Sequence, residues 1–415
     1  MGSATKTKTQ HNKSKVLPHL PPELWTEVLA RLPVKILLRF RAVCKTWCSM
    51  IDDPDFLLMH RSLFKNNVDK NHLLVMSSGL WGDQKFRVRV RDNLTITTHI
   101  RQKSKSFKIL GNCNGLVLLE DYEKWDKSHN NNRMRFVSTK LWNPSTQKSI
   151  VLPSCPGYKD VVIIGFVPSS NEHKVVVFEF PSRNLSSSTT FSVYSVSDHL
   201  WRTKTVMIDF PVISLHCMFW FVKYGHVCDY YSHGAAHWLV SEGERQFTHV
   251  LSFDFGMESF RYVKLPVVED PEMVMNLFNL GESLAVFGIS NKSSCIWVMT
   301  SENNNDNPWS VWFTGDSSSD GYKLFCRGVS YKRHFYGLFP RRLPHSLYKK
   351  LLFDENTSTF IVIYNKYDEP MSYNIITHKV GRVRKHRAGL RIKFVDTYVE
   401  SLALCRGRED QTLLR

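Results

Sequence analysis

The chain has 415 residues, of which 42% are hydrophobic and 22% are charged, with 17 Pro and 20 Gly. This composition is globular and excludes a mostly disordered, collagen-like or disulfide-scaffold chain. Lys and Arg total 55 and Asp and Glu total 38, so the net charge is 55 − 38 = +17. Such an excess favours acidic partners and requires nucleic acid to be considered.

Residues 1–16 are polar and basic, which predicts a disordered, solvated tail. They lack the apolar core that a secretory signal requires. The longest apolar stretches, 161–167 and 217–222, are far shorter than the roughly 18 residues that span a bilayer. Nine Cys, an odd number, favour reduced thiols over a disulfide framework. We therefore expect no membrane contact and a location in the cytoplasm, the nucleus or both.

The segment 17–62 has a helical pattern. Its first apolar residues recur at four-residue spacing: Leu20, Leu24, Val28 and Leu32, with Leu29 beside them. Pro22 suits the first turn of this helix, and Pro33 is expected to end it after Leu32. Two more apolar segments, 34–40 and 43–51, predict two more helices before Asp-Asp-Pro at 52–54 breaks the pattern. Three short helices cannot bury this much apolar surface alone, so a partner is expected to cover part of it.

From about residue 73 the period changes to two, which predicts β-strands. The clearest strand, 85–91, places Phe86, Val88 and Val90 on one face. Its other face is basic and consists of Lys85, Arg87, Arg89 and Arg91. This basic face is the candidate substrate-binding surface.

An irregular internal repeat of strand, polar turn and strand runs through the β region. Comparable positions are Trp142, Val193, Phe253 and Trp297, at steps of 51, 60 and 44 residues. Kelch-type propeller blades have a period of about 50, so four strands per blade explain the spacing. A β-sandwich is the competing architecture, and the number of blades is left open by so loose a period.

The helical segment resembles an F-box. The matching stretches are LPPEL (20–24), VLARLPVK (28–35), LLRFRAVCKTW (37–47) and IDDPDF (51–56). The β region is similar to the F-box-associated, kelch-like domain of plant F-box proteins, through GNCNGLV (111–117), LWNPST (141–146), HGAAHWL (233–239), LSFD (251–254), IWVM (296–299) and YVESL (398–402). The fold class is thus mainly β, with a three-helix F-box followed by a kelch-like β-propeller. The expected boundaries are 1–16 tail, 17–62 F-box, 63–405 propeller domain and 406–415 C-terminal tail.

The resemblance implies a non-catalytic receptor subunit of a cullin–RING ubiquitin ligase. The F-box would dock on the Skp adaptor, and through it on cullin and the RING protein, while the propeller binds an unidentified protein substrate. An apolar helix stripe of this kind packs into a hydrophobic groove. The expected adaptor contacts are Leu20, Pro21, Leu24, Val28, Leu29, Leu32, Pro33, Leu37 and Trp47. The basic faces at 85–91 and 378–393 favour an acidic or phosphorylated degron.

Two other classes stay open. Basic patches at 85–108, 341–350 and 378–415 would suit a nucleic-acid-binding or scaffold protein, although the stacking platform of single-strand binders is missing near 85–91. A propeller enzyme could use Asp254 with Glu258, or Asp354 with Glu355, as paired carboxylates. We expect neither nucleic acid nor a cofactor.

The sequence also gives two pairs of potential metal ligands. His233 and His237 would lie about 13 Å apart along one strand, too far to share an ion, so no metal site is expected there. Cys44 and Cys48 lack a second ligand pair and are interpreted as small apolar residues.

Overall fold

The structure, a computed structural model, has two compact units, residues 1–64 and 65–415, which are described separately. The described residues are 21–65, 72–78, 84–90, 96–100, 106–124, 134–156, 161–179, 188–207, 230–240, 247–300, 308–326, 348–364, 371–382 and 391–404. The predicted tails, 1–16 and 406–415, lie outside them.

The first unit is helical. Its helices are Pro22–Ala30 (α1), Val34–Arg41 (α2), Lys45–Ile51 (α3) and Pro54–Lys65 (α4). The three predicted helices are present, but α4 begins where the sequence predicted a break. Asp53 explains the difference, because its Oδ1 accepts hydrogen bonds from the backbone N–H groups of Asp55 (2.9 Å) and Phe56 (3.3 Å). An Asp cap followed by Pro in the first turn is a start signal for a helix.

Side chains from the helices form the core of this unit. Leu29, Ala30, Val34, Leu37, Ile51 and Phe56 are all buried. Arg41 of α2 and Asp52 at the end of α3 form a two-pronged ion pair, with N–O distances of 2.7 Å in both prongs. His60 of α4 is buried, and its Nε2 lies 3.1 Å from the carbonyl oxygen of Leu32 after α1. These polar contacts connect α2 to the end of α3, and α4 to the segment after α1.

The second unit is almost entirely β. Its strands, in chain order, are His72–Ser78 (β1), Gln84–Val90 (β2), Ile96–Ile100 (β3), Ser106–Cys113 (β4), Leu116–Lys124 (β5), Met134–Asn143 (β6), Lys148–Val151 (β7), Val161–Val167 (β8), Glu172–Glu179 (β9), Ser188–Ser195 (β10), Leu200–Met207 (β11), Tyr230–Ser232 (β12), Ala235–Val240 (β13), His249–Asp254 (β14), Ser259–Lys264 (β15), Val274–Leu280 (β16), Ser283–Ile289 (β17), Ser293–Met299 (β18), Trp309–Asp316 (β19), Tyr348–Asp354 (β20), Thr359–Tyr364 (β21), Met371–Asn374 (β22), Val380–Arg382 (β23) and Arg391–Tyr398 (β24). A helix, Ser319–Cys326 (α5), follows β19.

Within the described ranges these strands form six antiparallel sheets of four strands each. Five sheets use consecutive strands, β4 to β7, β8 to β11, β12 to β15, β16 to β19 and β20 to β23, and we number them blades 2 to 6. Blade 1 has the order β24-β1-β2-β3, so it combines the last strand with the first three. Neighbouring blades contact each other in cyclic order, ending with β20 on β24 and β24 on β4. The ring confirms the β-propeller and excludes the β-sandwich.

The predicted repeat units are the third and fourth strands of blades 2 to 5. Six turns at one end of the ring share a residue with positive φ: Gln147, Asn171, His199, Glu258, Ser358 and His378. An aromatic residue stands five positions before each: Trp142, Phe166, Tyr194, Phe253, Phe353 and Tyr373. In the blade 4 turn the Oδ1 of Asp254 accepts hydrogen bonds from the N–H groups of Gly256 and Met257, both at 2.8 Å. Such side-chain bonds hold the turn without requiring one fixed sequence.

Ring closure depends on a strap, which we define as residues 399–404 after β24. Asn143, at the end of β6, is fully buried, and its Nδ2 donates to the carbonyl oxygens of Ser401 (2.8 Å) and Ala403 (2.7 Å). The hydroxyl groups of Ser145 and Tyr398 lie 2.7 Å apart. Gly115 has φ +83°, and a Cβ there would lie 2.2 Å from the Cβ of Ser401. Blade 2 therefore binds both the end of β24, the strand that completes blade 1, and the strap that follows it.

We expect Asn143→Ala to lower the free energy of unfolding by about 3 kcal/mol, because it leaves two strap carbonyls without their donor. The matched control is Asn374→Ala. The Oδ1 of Asn374 accepts hydrogen bonds from backbone N–H groups of its own turn, as that of Asn143 does. Its Nδ2, however, donates within blade 6, to Thr357 and Thr359. We expect the control to cost about 1 kcal/mol. Urea unfolding measures both values, and equal losses would contradict a special role for the strap.

Candidate functional site

Helix α1 presents an apolar face to solvent. Leu24 and Val28, one turn apart, are 46% and 49% exposed, whereas Leu29 is 1% exposed. Residues four apart lie on the same side of a helix, so Leu24 and Val28 form one patch. Pro21 before α1 and Pro33 before α2 are also exposed. We call Pro21, Leu24, Val28 and Pro33 the α1 patch.

The other predicted adaptor contacts have different environments. Leu29 and Leu37 are buried in this unit, and their position assigns them a packing role. Leu32 and Trp47 are half-buried, and Leu20 lies outside the described residues. Val43, which the sequence placed in the third apolar segment but not among the adaptor contacts, is the most exposed of the large apolar side chains described in this unit. It lies between α2 and α3, so the helical stripe of α1 could not have indicated it.

Trp47 belongs to an aromatic cluster. Its ring centroid lies 4.8 Å from that of Phe40 and 5.9 Å from that of Trp25. The two cysteines of this region have local structural contacts, since the Sγ of Cys44 accepts a hydrogen bond from the N–H of Trp47 (3.5 Å) and the Sγ of Cys48 donates to Asp52 (3.6 Å). Trp47 therefore ties α1, α2 and α3 together while keeping part of its surface accessible.

The predicted basic face falls on blade 1. The backbones of Lys85, Arg87 and Arg89 lie in β2, between β1 and β3, and Arg91 lies outside the described residues. The second basic segment, 378–393, is described only in part. In the basic segment 341–350, the Nζ of Lys350 lies 3.0 Å from the Oδ1 of Asp396 and 4.3 Å from the ring centroid of Tyr230. Lys350 is thus an internal link between inner strands, and it does not form an open patch.

The structure brings together a basic cluster that sequence reasoning missed. Glu258, in the blade 4 turn, accepts hydrogen bonds from Lys174 (2.9 Å) and Arg202 (3.2 Å) and pairs with Lys204. The Glu258 side chain is 5% exposed, while Arg202 and Lys204 are 53% and 45% exposed. We call these four residues the Glu258 cluster. Its members come from β9, β11 and the β14–β15 turn, so no local motif could have indicated it.

The charge state of Glu258 follows from this setting. Burial opposes its ionisation, but the hydrogen bonds from Lys204 and Lys174 outweigh burial and hold its pKa below the usual value. Lys174 also donates to the carbonyl oxygen of Phe255, at 2.9 Å. The carboxylate therefore stays ionised, and through it three cationic side chains of blade 3 are bonded to blade 4.

The paired histidines occupy a hairpin instead of one strand. His233 lies in the turn between β12 and β13 with φ +46°, and His237 is buried on β13. The ring of His237 contacts two hydroxyl groups, Ser232 Oγ at 2.9 Å from Nε2 and Ser252 Oγ at 2.7 Å from Nδ1. Burial lowers the pKa of His237 to about 3. His237 is thus a neutral hydrogen-bonding residue of the core.

In one of the proposed carboxylate pairs, Asp254 with Glu258, both side chains bond to other groups. Asp254 binds the N–H groups of its own turn, and Glu258 is held by three cations. Across the part of the chain that is described, no group of three or more His, Cys, Asp or Glu is placed to hold a metal ion. No helix in that part is long and apolar enough to cross a membrane.

The chain matches two family descriptions. Residues 17–59 match the F-box domain, and residues 66–405 match the F-box associated beta propeller domain. The second match covers most of the chain, in agreement with the six-bladed ring and the preceding helices. The chain therefore belongs to the family of F-box proteins with an F-box associated β-propeller domain.

Similar proteins come from Arabidopsis thaliana. An F-box/kelch-repeat protein is 24% identical over 60% of this chain and 66% of its own length. The F-box/WD-40 repeat-containing protein 1 is 24% identical over 95% of this chain and 90% of its own length. The F-box protein CPR1 is 24% identical over 60% of each chain. F-box domains in general bind Skp-type adaptors, and F-box proteins are generally non-catalytic adaptors.

The buried His237 predicts a pH dependence of stability. The folded protein keeps this ring neutral down to a pH of about 3, whereas the unfolded chain protonates it below about 6.5. The unfolded state therefore binds more protons between these values, so stability falls as the pH is lowered, by about 1.4 kcal/mol per pH unit from this residue.

The variant His237→Asn removes the titration and keeps a side chain that can bond to both serines. Between pH 6.5 and 4.5 we expect the variant to lose about 2 kcal/mol less unfolding free energy than the native chain. His233→Asn, on the exposed turn residue, is the control and should follow the native curve. Denaturant unfolding across this pH range measures the three curves, and parallel curves for all three would refute the prediction.

Proposed function

We propose that this protein is the substrate receptor of a Skp–cullin–F-box ubiquitin ligase. The F-box unit docks on the Skp adaptor, and the propeller binds the protein that receives ubiquitin. Transfer of ubiquitin is the work of other subunits, and this chain contributes no catalytic group. We further propose that it acts in the cytoplasm, the nucleus or both.

The observation that carries the proposal is the α1 patch. An F-box whose first helix exposes Leu24 and Val28 has an apolar surface ready for a groove on a partner. Burying the exposed half of each side chain contributes about 1 kcal/mol to binding. Because Leu29 and Leu37 already hold the helices together, the patch can be covered without rearranging the unit.

The function needs no reacting group on the propeller. A receptor accelerates ubiquitin transfer by raising the effective concentration of substrate lysines near the loaded conjugating enzyme. What the propeller has to supply is a firm surface of fixed geometry. Hydrogen bonds between blades support this, such as those between Trp309 Nε1 and the carbonyl oxygen of Lys264 (2.8 Å) and between Trp201 Nε1 and that of Pro153 (3.0 Å).

The test is binding of the purified chain to a purified Skp adaptor, alone and with cullin. The variant Leu24→Asp/Val28→Asp places two charges in the α1 patch, and we expect it to weaken adaptor binding at least about tenfold. Both side chains are exposed, so the variant should keep its helices, which circular dichroism checks.

The matched control is Met257→Asp/Val267→Asp, which changes two exposed apolar side chains of the propeller in the same way. We expect the control to bind the adaptor as tightly as the native chain. A folded native chain without affinity for any Skp adaptor would rule out the receptor function. Equal weakening by both variants would show that the α1 patch is not the docking surface.

A further inference from the structure

The Glu258 cluster carries more positive charge than its structural role requires. Lys174, Arg202 and Lys204 contribute three positive charges and Glu258 one negative charge, so the cluster has a formal charge of +2. One carboxylate bonded to the buried Lys174 would already connect blades 3 and 4. Arg202 and Lys204 add a positive surface that is about half exposed to solvent.

Neighbouring carboxylates do not neutralise this charge. Asp254 accepts hydrogen bonds from two backbone N–H groups of its turn. Glu172 accepts hydrogen bonds from the hydroxyl groups of Ser195 and Ser197 in the adjacent turn of blade 3. Asp198 is exposed in that same turn and lies 3.2 Å from the hydroxyl of Ser197. Each of these acidic groups is therefore bonded to turn groups, and none of them pairs with Arg202 or Lys204 among the described ion pairs.

The two exposed cations are already ordered by Glu258. Arg202 donates to Oε1 and Lys204 pairs with Oε2, so both heads are anchored on one carboxylate. Arg has five N–H donors and Lys three, and one bond each leaves donors available for a second anion. A ligand that binds here does not have to fix two long side chains, which otherwise costs about 0.5–1.5 kcal/mol for each.

We propose that the Glu258 cluster binds a phosphorylated serine or threonine of the substrate protein, an inference that rests on the receptor function proposed above. A phosphate monoester carries a charge of about −1.5 to −2 at pH 7 and has three acceptor oxygens. It matches the +2 of the cluster, whereas a single carboxylate would leave +1 unbalanced. Arg202 supplies the planar donor geometry that suits phosphate.

Apolar residues border the cluster in sequence. Met257, directly before Glu258, is 80% exposed, and Leu200, two residues before Arg202, is also exposed. They give the phosphorylated segment a contact for a neighbouring apolar side chain.

The probe is a degenerate nonapeptide library with phosphoserine fixed at its centre, labelled with fluorescein and titrated with the full chain. Matched libraries carry serine or glutamate at the centre, and inorganic phosphate is a competitor. We expect the phosphoserine library to bind at least about tenfold more tightly than either control library. Equal binding of the phosphoserine and serine libraries, or of the phosphoserine and glutamate libraries, would overturn the proposal. Displacement by millimolar inorganic phosphate without any preference among the libraries would mean an adventitious ion only.

Three variants locate the binding site. Arg202→Gln/Lys204→Gln should weaken binding of the phosphoserine library at least about tenfold. Lys264→Gln/Lys379→Gln removes the same charge from exposed positions elsewhere on the propeller and should leave the affinity unchanged. Arg202→Lys/Lys204→Arg keeps both positive charges and one guanidinium in the cluster, so it should bind more tightly than the Gln variant. Unchanged affinity of the Gln variant at Arg202 and Lys204 would refute the assignment.

The same variants separate this proposal from the receptor function. None of them changes the α1 patch, so all should bind the Skp adaptor like the native chain. Phosphopeptide binding without adaptor binding would refute the receptor function and leave the anion site standing. Adaptor binding without any phosphopeptide preference would refute the anion site alone.

Discussion

Pairing of the last strand with the first is the interaction on which the propeller depends. Each blade buries its faces only against its two neighbours, so an open ring would expose the sides of two blades. Closure is non-covalent and rests on the β24–β1 ladder together with the strap. Blade 1 draws strands from both ends of the domain, so its completion brings the two ends of the ring together. The buried Asn143 and the close approach of Gly115 to Ser401 show how tightly blade 2 holds that junction.

Rigidity between blades turns the ring into a platform. Tyr231 of β12 bonds through its hydroxyl to the backbone of Phe166 in β8, accepting from its N–H at 3.1 Å and donating to its carbonyl oxygen. Tyr230 bonds to the N–H and carbonyl oxygen of Leu351 in β20, both at 2.9 Å. Such contacts fix inner strands that are distant in sequence. Turn residues such as Glu258 therefore keep their positions, which lowers the entropy cost of binding a partner.

Much of the fold could be predicted because period and turn chemistry are local. The first three helices, the β character after residue 73 and the hairpins of blades 2 to 5 all follow from patterns within about ten residues. The fourth helix was missed because Asp53 and Pro54 serve equally as a stop and a start signal. The six blades could not be counted, since blade 1 is divided between the two ends of the domain and blade 6 lacks the recognised hairpin.

The candidate sites, too, could be predicted from the sequence only where they depend on local spacing. Helical spacing indicated Leu24 and Val28, but it could not separate them from the buried Leu29, because that depends on how α1 packs. The Glu258 cluster joins Lys174 to a residue 84 positions later, a proximity that only the ring of blades creates. The basic strand 85–91 attracted attention because four cationic residues stand at alternate positions within seven residues of sequence. The excess charge shown by the side-chain contacts lies on blades 3 and 4.

Docking of the α1 patch on a Skp adaptor is tested most directly by hydrogen–deuterium exchange of the full chain, free and in complex with the adaptor. A receptor that docks through its F-box should show slower exchange in peptides covering residues 21–41 once the adaptor is bound. Exchange in the six blades should stay unchanged. Complex formation with no slowing at residues 21–41, or slowing confined to the propeller, would contradict docking through this helix.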